Sequence, residues 1–146
     1  MTWDKFIKAA AAVGGAIAGL MGEWNALLTI LMVAMVTDYV TGLIVAACGR
    51  SPKTEGGRLS STAGFIGLAK KAVIMAVVLL ATLLDRAIGT DSMMFQTAAV
   101  CYYIANEGLS ILENAALLDV PIPKRLRAAL EALRDKGDQN DKPPDE

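Results

Sequence analysis

The chain has 146 residues, 54% of them hydrophobic, with a mean hydropathy of +0.44 and a formal net charge of −1. So balanced a charge leaves no basic field to draw in nucleic acid, and the absence of histidine removes the commonest general base and transition-metal ligand. The apolar residues come in blocks separated by short charged segments, an arrangement that suits a small set of membrane-crossing helices.

Met1 to Lys8 is a short amphipathic start, and Ala9 to Met21 is apolar but built from alanine and glycine. A charged start with an apolar middle also fits a signal peptide or a helix lying in the interface; a short first transmembrane helix over about 6–21 is preferred. Ala11, Gly15 and Gly19 fall at four-residue spacing, a small-residue face suited to close helix packing. Gly22 to Asn25 reads as a tight turn with an interfacial tryptophan, Trp24.

Trp24 to Cys48 is a long, mainly apolar run of about 25 residues, and at ~1.5 Å per residue it spans roughly 37 Å, enough to cross a bilayer with some tilt. Its one charge is Asp38, near the middle. A carboxylate at that depth costs roughly 2.5–3.5 kcal/mol on insertion scales, which marks it as a working residue. Gly49 to Gly64 is a polar loop carrying Arg50, Lys53 and Arg58. The next span covers about 65–84 and contains the pair Lys70-Lys71. Those lysines must snorkel toward the headgroups or pair with an acid. Cys48 and Cys101 have no metal or redox spacing and read as small buried hydrophobes.

After a turn at Asp85 to Asp91, the last long segment covers about 93–118. Tyr103, Asn106, Glu107, Ser110 and Asn114 recur there at three- and four-residue steps, so a helix places them on one stripe. Ile104, Leu109, Ile111 and Leu112 lie off that stripe, on a side able to face lipid. The segment breaks at Pro121 and Pro123. Lys124 to Lys136 then forms an amphipathic helix with Leu126, Leu130 and Leu133 on one side and Lys124, Arg125, Arg127 and Arg134 elsewhere. It reads as a helix on the membrane surface or as a plain soluble one. The tail from Gly137 to Glu146 reads as disordered.

The expected fold is therefore an all-α integral membrane protein of three to four transmembrane helices. Residues 1–123 form the membrane domain and 124–146 a cytoplasmic amphipathic helix and tail. Four crossings with both termini cytoplasmic are preferred, because every Lys and Arg except Arg86 then lies on the inner side. Asp38, Lys70 or Lys71, and Glu107 all fall in the inner half of the membrane. Shared depth predicts an intramembrane polar cluster among them.

These residues resemble the bacteriophage lysis and clostridial toxin-secretion holin family. The resemblance rests on Thr37 to Gly42 (TDYVTG), Gly67 to Lys71 (GLAKK), Leu84-Asp85, and above all Tyr102 to Asn114 (YYIANEGLSILEN). Pro121-Ile122-Pro123 followed by a basic helix also fits, and coverage runs from about Leu28 to Leu133. The resemblance implies a phage-encoded protein of the host's cytoplasmic membrane that assembles with itself and opens a timed lesion for an endolysin or a toxin. Direct contact with that cargo is not required. It places Asp38, Thr41, Gly42, Lys70, Lys71, Tyr103, Asn106, Glu107, Ser110, Glu113 and Asn114 in pore, oligomer or gating roles. Lipid and further copies of the chain are the expected partners, with no cofactor, metal or nucleic acid. A small ion channel or transporter subunit, and a membrane scaffold, are the alternatives. An enzyme is disfavoured, since no nucleophile motif or phosphate-binding loop is present.

Overall fold

The computed structural model describes residues 2–89 and 92–139, with side chains through 136. Its described residues form five α-helices and no strand: α1 (Trp3–Met21), α2 (Ala26–Ala47), α3 (Ser61–Ile88), α4 (Met94–Leu117) and α5 (Lys124–Gln139). One short 3-10 turn, Glu55–Gly57, lies in the loop between α2 and α3.

Local chemistry sets the helix ends. The Asn25 side chain accepts the Leu28 N–H at 3.0 Å and starts α2, one residue after Trp24. Ser60 does the same for Ala63 and starts α3 at Ser61, four residues before the expected Phe65. At its other end α3 runs through Asp85 to Ile88, where a turn was expected, and stops at Gly89 in the left-handed conformation (φ 74°). The polar loop is shorter than anticipated as a result. Helix α5 continues to Gln139, past the expected start of disorder at Gly137; residues 140–146 lie outside the described residues.

Three helices each turn one continuous stripe inward. On α2 it is Leu28, Leu31, Met35, Asp38 and Val45; on α3 it is Lys71, Val78, Thr82 and Asp85, with Gly64 and Gly67 on the same line. On α4 the stripe runs Gln96, Val100, Tyr103, Glu107, Ser110 and Asn114. Steps of three and four residues keep each set on one helical face. Assembled, the stripes stack in layers. A polar layer sits at the Gln96 end, an apolar layer of Met21, Leu28, Leu31, Met35, Val78 and Val100 follows, and a second polar layer surrounds Lys71.

Helix α4 is the hub, contacting α2, α3 and α5, whereas α1 rests on α3. This corrects the expectation that Leu109 and Leu112 face lipid: both are buried, because α4 is flanked on three sides. Cys48 is also corrected, being exposed at the end of α2, while Cys101 is half-buried. Among the described helices, α2 and α3 are long and apolar enough to cross a membrane. Helix α1 carries Asp4, Lys5 and Lys8 near its start and α4 carries the polar stripe, so neither meets that criterion.

Candidate functional site

The polar layer at Lys71 is built around one ammonium group. Asp38 stands nine residues before the end of α2, Lys71 ten residues after the start of α3, and Glu107 ten residues before the end of α4. At the rise of an α-helix each lies roughly 14–15 Å from the same end of the bundle. The Lys71 Nζ donates to Asp38 Oδ2 and to Glu107 Oε2, so a single side chain ties α2 to α4 from α3. All three groups are withdrawn from the surface. Burial of this kind is tolerable because each charge has an opposite charge at hydrogen-bond distance. Formally the site holds two carboxylates and one ammonium.

Asn114, two turns beyond Glu107 on the same face of α4, extends the network. Its Nδ2 donates to Asp38 Oδ1 at 3.2 Å, to the Asp38 carbonyl at 3.3 Å and to Thr41 Oγ1 at 2.9 Å. The Thr41 hydroxyl in turn donates to the Thr37 carbonyl at 2.8 Å. Ser110 lies beside the Asp38 carboxylate. Gly42 leaves room next to Asn114, 3.8 Å from where its Cβ would stand. One turn away, Tyr39 lies against α3, its hydroxyl 3.5 Å from where a Cβ on Gly64 would stand and its ring 3.5 Å from one on Gly67. That contact lets the backbones of α2 and α3 approach.

The expected residues divide clearly. Asp38, Thr41, Gly42, Lys71, Glu107, Ser110 and Asn114 come together. Tyr103 is half-buried against the apolar core and meets Tyr102 edge-on. Asn106 is half-buried, whereas Lys70 and Glu113 point outward and are exposed. The small-residue face of α1 is not used among the described residues, none of which comes within 4 Å of the Cβ positions of Gly15 and Gly19, and Ala11 is exposed. On α5, Leu130 packs on Gly108 of α4, Leu133 and Arg127 are half-buried, and Lys124, Arg125 and Leu126 are exposed.

The polar layer at the Gln96 end was missed by sequence reasoning. Gln96 is 2% exposed, and its Nε2 donates to Thr82 Oγ1 at 2.8 Å and to the Met21 carbonyl at 3.4 Å. Asn25 Nδ2 donates to Gln96 Oε1 at 3.3 Å. The fully buried Asp85 accepts the backbone N–H groups of Phe95 and Gln96 at 3.0 and 2.8 Å, so α3 caps α4. The signal lay in the three-residue spacing of Thr82 and Asp85, two polar residues on one face of an apolar helix. At the opposite end, Arg50 Nη1 donates to the Leu117 carbonyl at 3.0 Å and to Asp119 Oδ2 at 2.6 Å. Asp119 holds the Arg50 guanidinium above its ordinary value by that hydrogen bond.

Comparison with known proteins places the chain in a family. The profile of the bacteriophage holin family matches residues 15–135. An uncharacterized 14.9 kDa protein from Clostridium perfringens is 38% identical over 125 residues, covering 86% of this chain and 89% of its own. An uncharacterized protein of Halalkalibacterium halodurans is 38% identical over 136 residues, covering 90% and 93% respectively. A probable holin of Bacillus phage phi105 is 31% identical over 119 residues and 82% of both chains. No solved structure matches the chain.

Proposed function

Because the chain belongs to the bacteriophage holin family, we propose that it gathers in a bacterial cytoplasmic membrane, assembles with further copies and opens a timed lesion. An endolysin, or a large secreted toxin, leaves the cell through that lesion. The observation that carries this reading is the Asp38–Lys71–Glu107 bridge with Asn114, held inside a shell of exposed apolar side chains on α2 and α3. Lipid accepts polar side chains only where they face one another or face water. A closed molecule satisfies its stripes internally. Copies that exchange those contacts turn the same stripes toward a growing aqueous hole.

Four crossings with both termini cytoplasmic suit this role. The helix directions alternate, since Met21, Asn25, Thr82 and Gln96 meet at one end while Arg50 and Asp119 meet at the other. In that arrangement every Lys and Arg except Arg86 lies on the inner side.

Inducible expression in bacteria tests the reading, with viability, membrane potential and release of a cytoplasmic enzyme followed together. The expected result is an abrupt fall in potential accompanied by enzyme release. Ion leakage without protein release would assign a narrow channel instead. Continued growth at high membrane levels of the protein would refute lesion formation.

A further inference from the structure

Helix α5 turns back on α4. A Cβ on Gly108 would stand 3.0 and 3.1 Å from the two Leu130 methyl groups, so the leucine seats against a position kept open by glycine. Gly108 lies nine residues before the end of α4, so this contact carries α5 roughly 14 Å back along its neighbour. The half-buried residues of α5 include Arg127, Leu130, Glu131 and Arg134, a continuous face at steps of three, one and three. Contact with α4 therefore persists for a further turn beyond Leu130. That turn brings Glu131, Arg134, Asp135 and Lys136 to the depth of the buried cluster, with Asp135 and Lys136 exposed.

The other helices present the opposite chemistry at that depth. Val33, Val36 and Val40 on α2 and Leu68 and Val73 on α3 are exposed, apolar and suited to lipid. A bilayer that covers those rows also engulfs the charged end of a docked α5. Charged groups on an outer surface do not enter hydrocarbon at acceptable cost. A bilayer withdrawn to spare α5 leaves both apolar rows in water. The docked helix and the embedded bundle are alternatives.

We propose that α5 is a releasable latch, docked on the Gly108 face of α4 before membrane entry and off it once the inner half of α4 lies in lipid. Released, its Leu126, Leu130 and Leu133 settle on the membrane surface, where Lys124, Arg125 and Arg127 meet anionic headgroups. The inference rests on the membrane-embedded reading of the bundle but not on lesion formation, and the experiment separates the two.

The test uses the full chain with Cys48→Ser and Cys101→Ser and the pair Gly108→Cys with Leu130→Cys, which removes the leucine where the new Cβ would stand. Protein is mixed with vesicles of phosphatidylethanolamine and phosphatidylglycerol, oxidised, and divided by alkaline extraction. The expected disulfide yield is at least fivefold lower in the alkali-resistant, embedded fraction than in the extractable one. Protein oxidised beforehand is expected to stay extractable until a reductant is added. Leu130→Asp, which cannot seat on Gly108, is expected to embed at least as fast as the parent chain. Full disulfide formation within the embedded fraction, or equal embedding of oxidised and reduced protein, would overturn the latch. Embedding that follows these expectations while the vesicles keep their contents leaves the latch standing and counts against the lesion.

Discussion

Lys71 carries more of the structure than any other charged side chain, because two buried carboxylates depend on it. Lys71→Met leaves Asp38 and Glu107 facing each other without a cation. Breaking a buried ion pair in this way costs about 3–5 kcal/mol, so stability in a detergent unfolding titration should fall by that order. Glu107→Gln should behave differently. The amide oxygen still accepts from Lys71, and the remaining pair is one carboxylate to one ammonium, so a loss within about 1 kcal/mol is expected in the same titration. Lys70→Met supplies the contrast. Its side chain is exposed and outside the cluster, and a change of less than about 0.5 kcal/mol is expected. Equal effects of Lys70→Met and Lys71→Met would contradict the assignment of the bridge to Lys71.

At the level of elements, the way the chain chooses between two neighbouring lysines is explained by the glycines before them. Gly64, Gly67 and Lys71 lie on one face of α3, and Tyr39 occupies the space that side chains at the two glycines would fill. Lys70 is 100° away around the helix. Gly67→Leu should push Tyr39 aside and turn Lys71 from its acids; overpacking of this kind costs about 1–3 kcal/mol, measurable by thermal unfolding in detergent. Gln96→Ala should cost about 1–3 kcal/mol in that assay, since the buried Thr82 hydroxyl and Met21 carbonyl both lose their donor. The helices and the Lys71 cluster were legible in the sequence because hydropathy and shared depth are local, additive signals. Asp38, Glu107 and a lysine were matched by counting residues from helix ends. The choice of Lys71 was not legible, because it depends on the rotation of α3 against a ring from another helix. Nor was the Gln96 layer, whose partners Asn25 and Gln96 are 71 residues apart. The burial of Leu109 and Leu112 was hidden for the same reason, since α5 reads equally well as a free surface helix.

For the molecule as a whole, the two polar layers flank one apolar layer on the same three helices. Along α2 they are separated by the thirteen residues from Asn25 to Asp38, and along α3 by the fourteen from Lys71 to Asp85, roughly 20 Å in each case. Joining α3 to α4 covalently at one of these layers should therefore hold the bundle shut. The pair Thr82→Cys and Gln96→Cys replaces a direct 2.8 Å hydrogen bond between α3 and α4. When oxidised, it is expected to delay release of a cytoplasmic enzyme by at least severalfold, and reductant should restore release. Unchanged timing with the disulfide formed would show that α3 and α4 stay together during opening. The layered arrangement has one more implication, for tempo. Two sets of directional bonds on one shaft act like two teeth of a key. If α4 slides by a helical turn of about 5.4 Å, the Gln96 and Glu107 contacts fall out of register at the same moment, and no halfway position satisfies either. If the chain opens a lesion as proposed, two such layers keep it closed until it opens completely, which would give a clock its sharp edge.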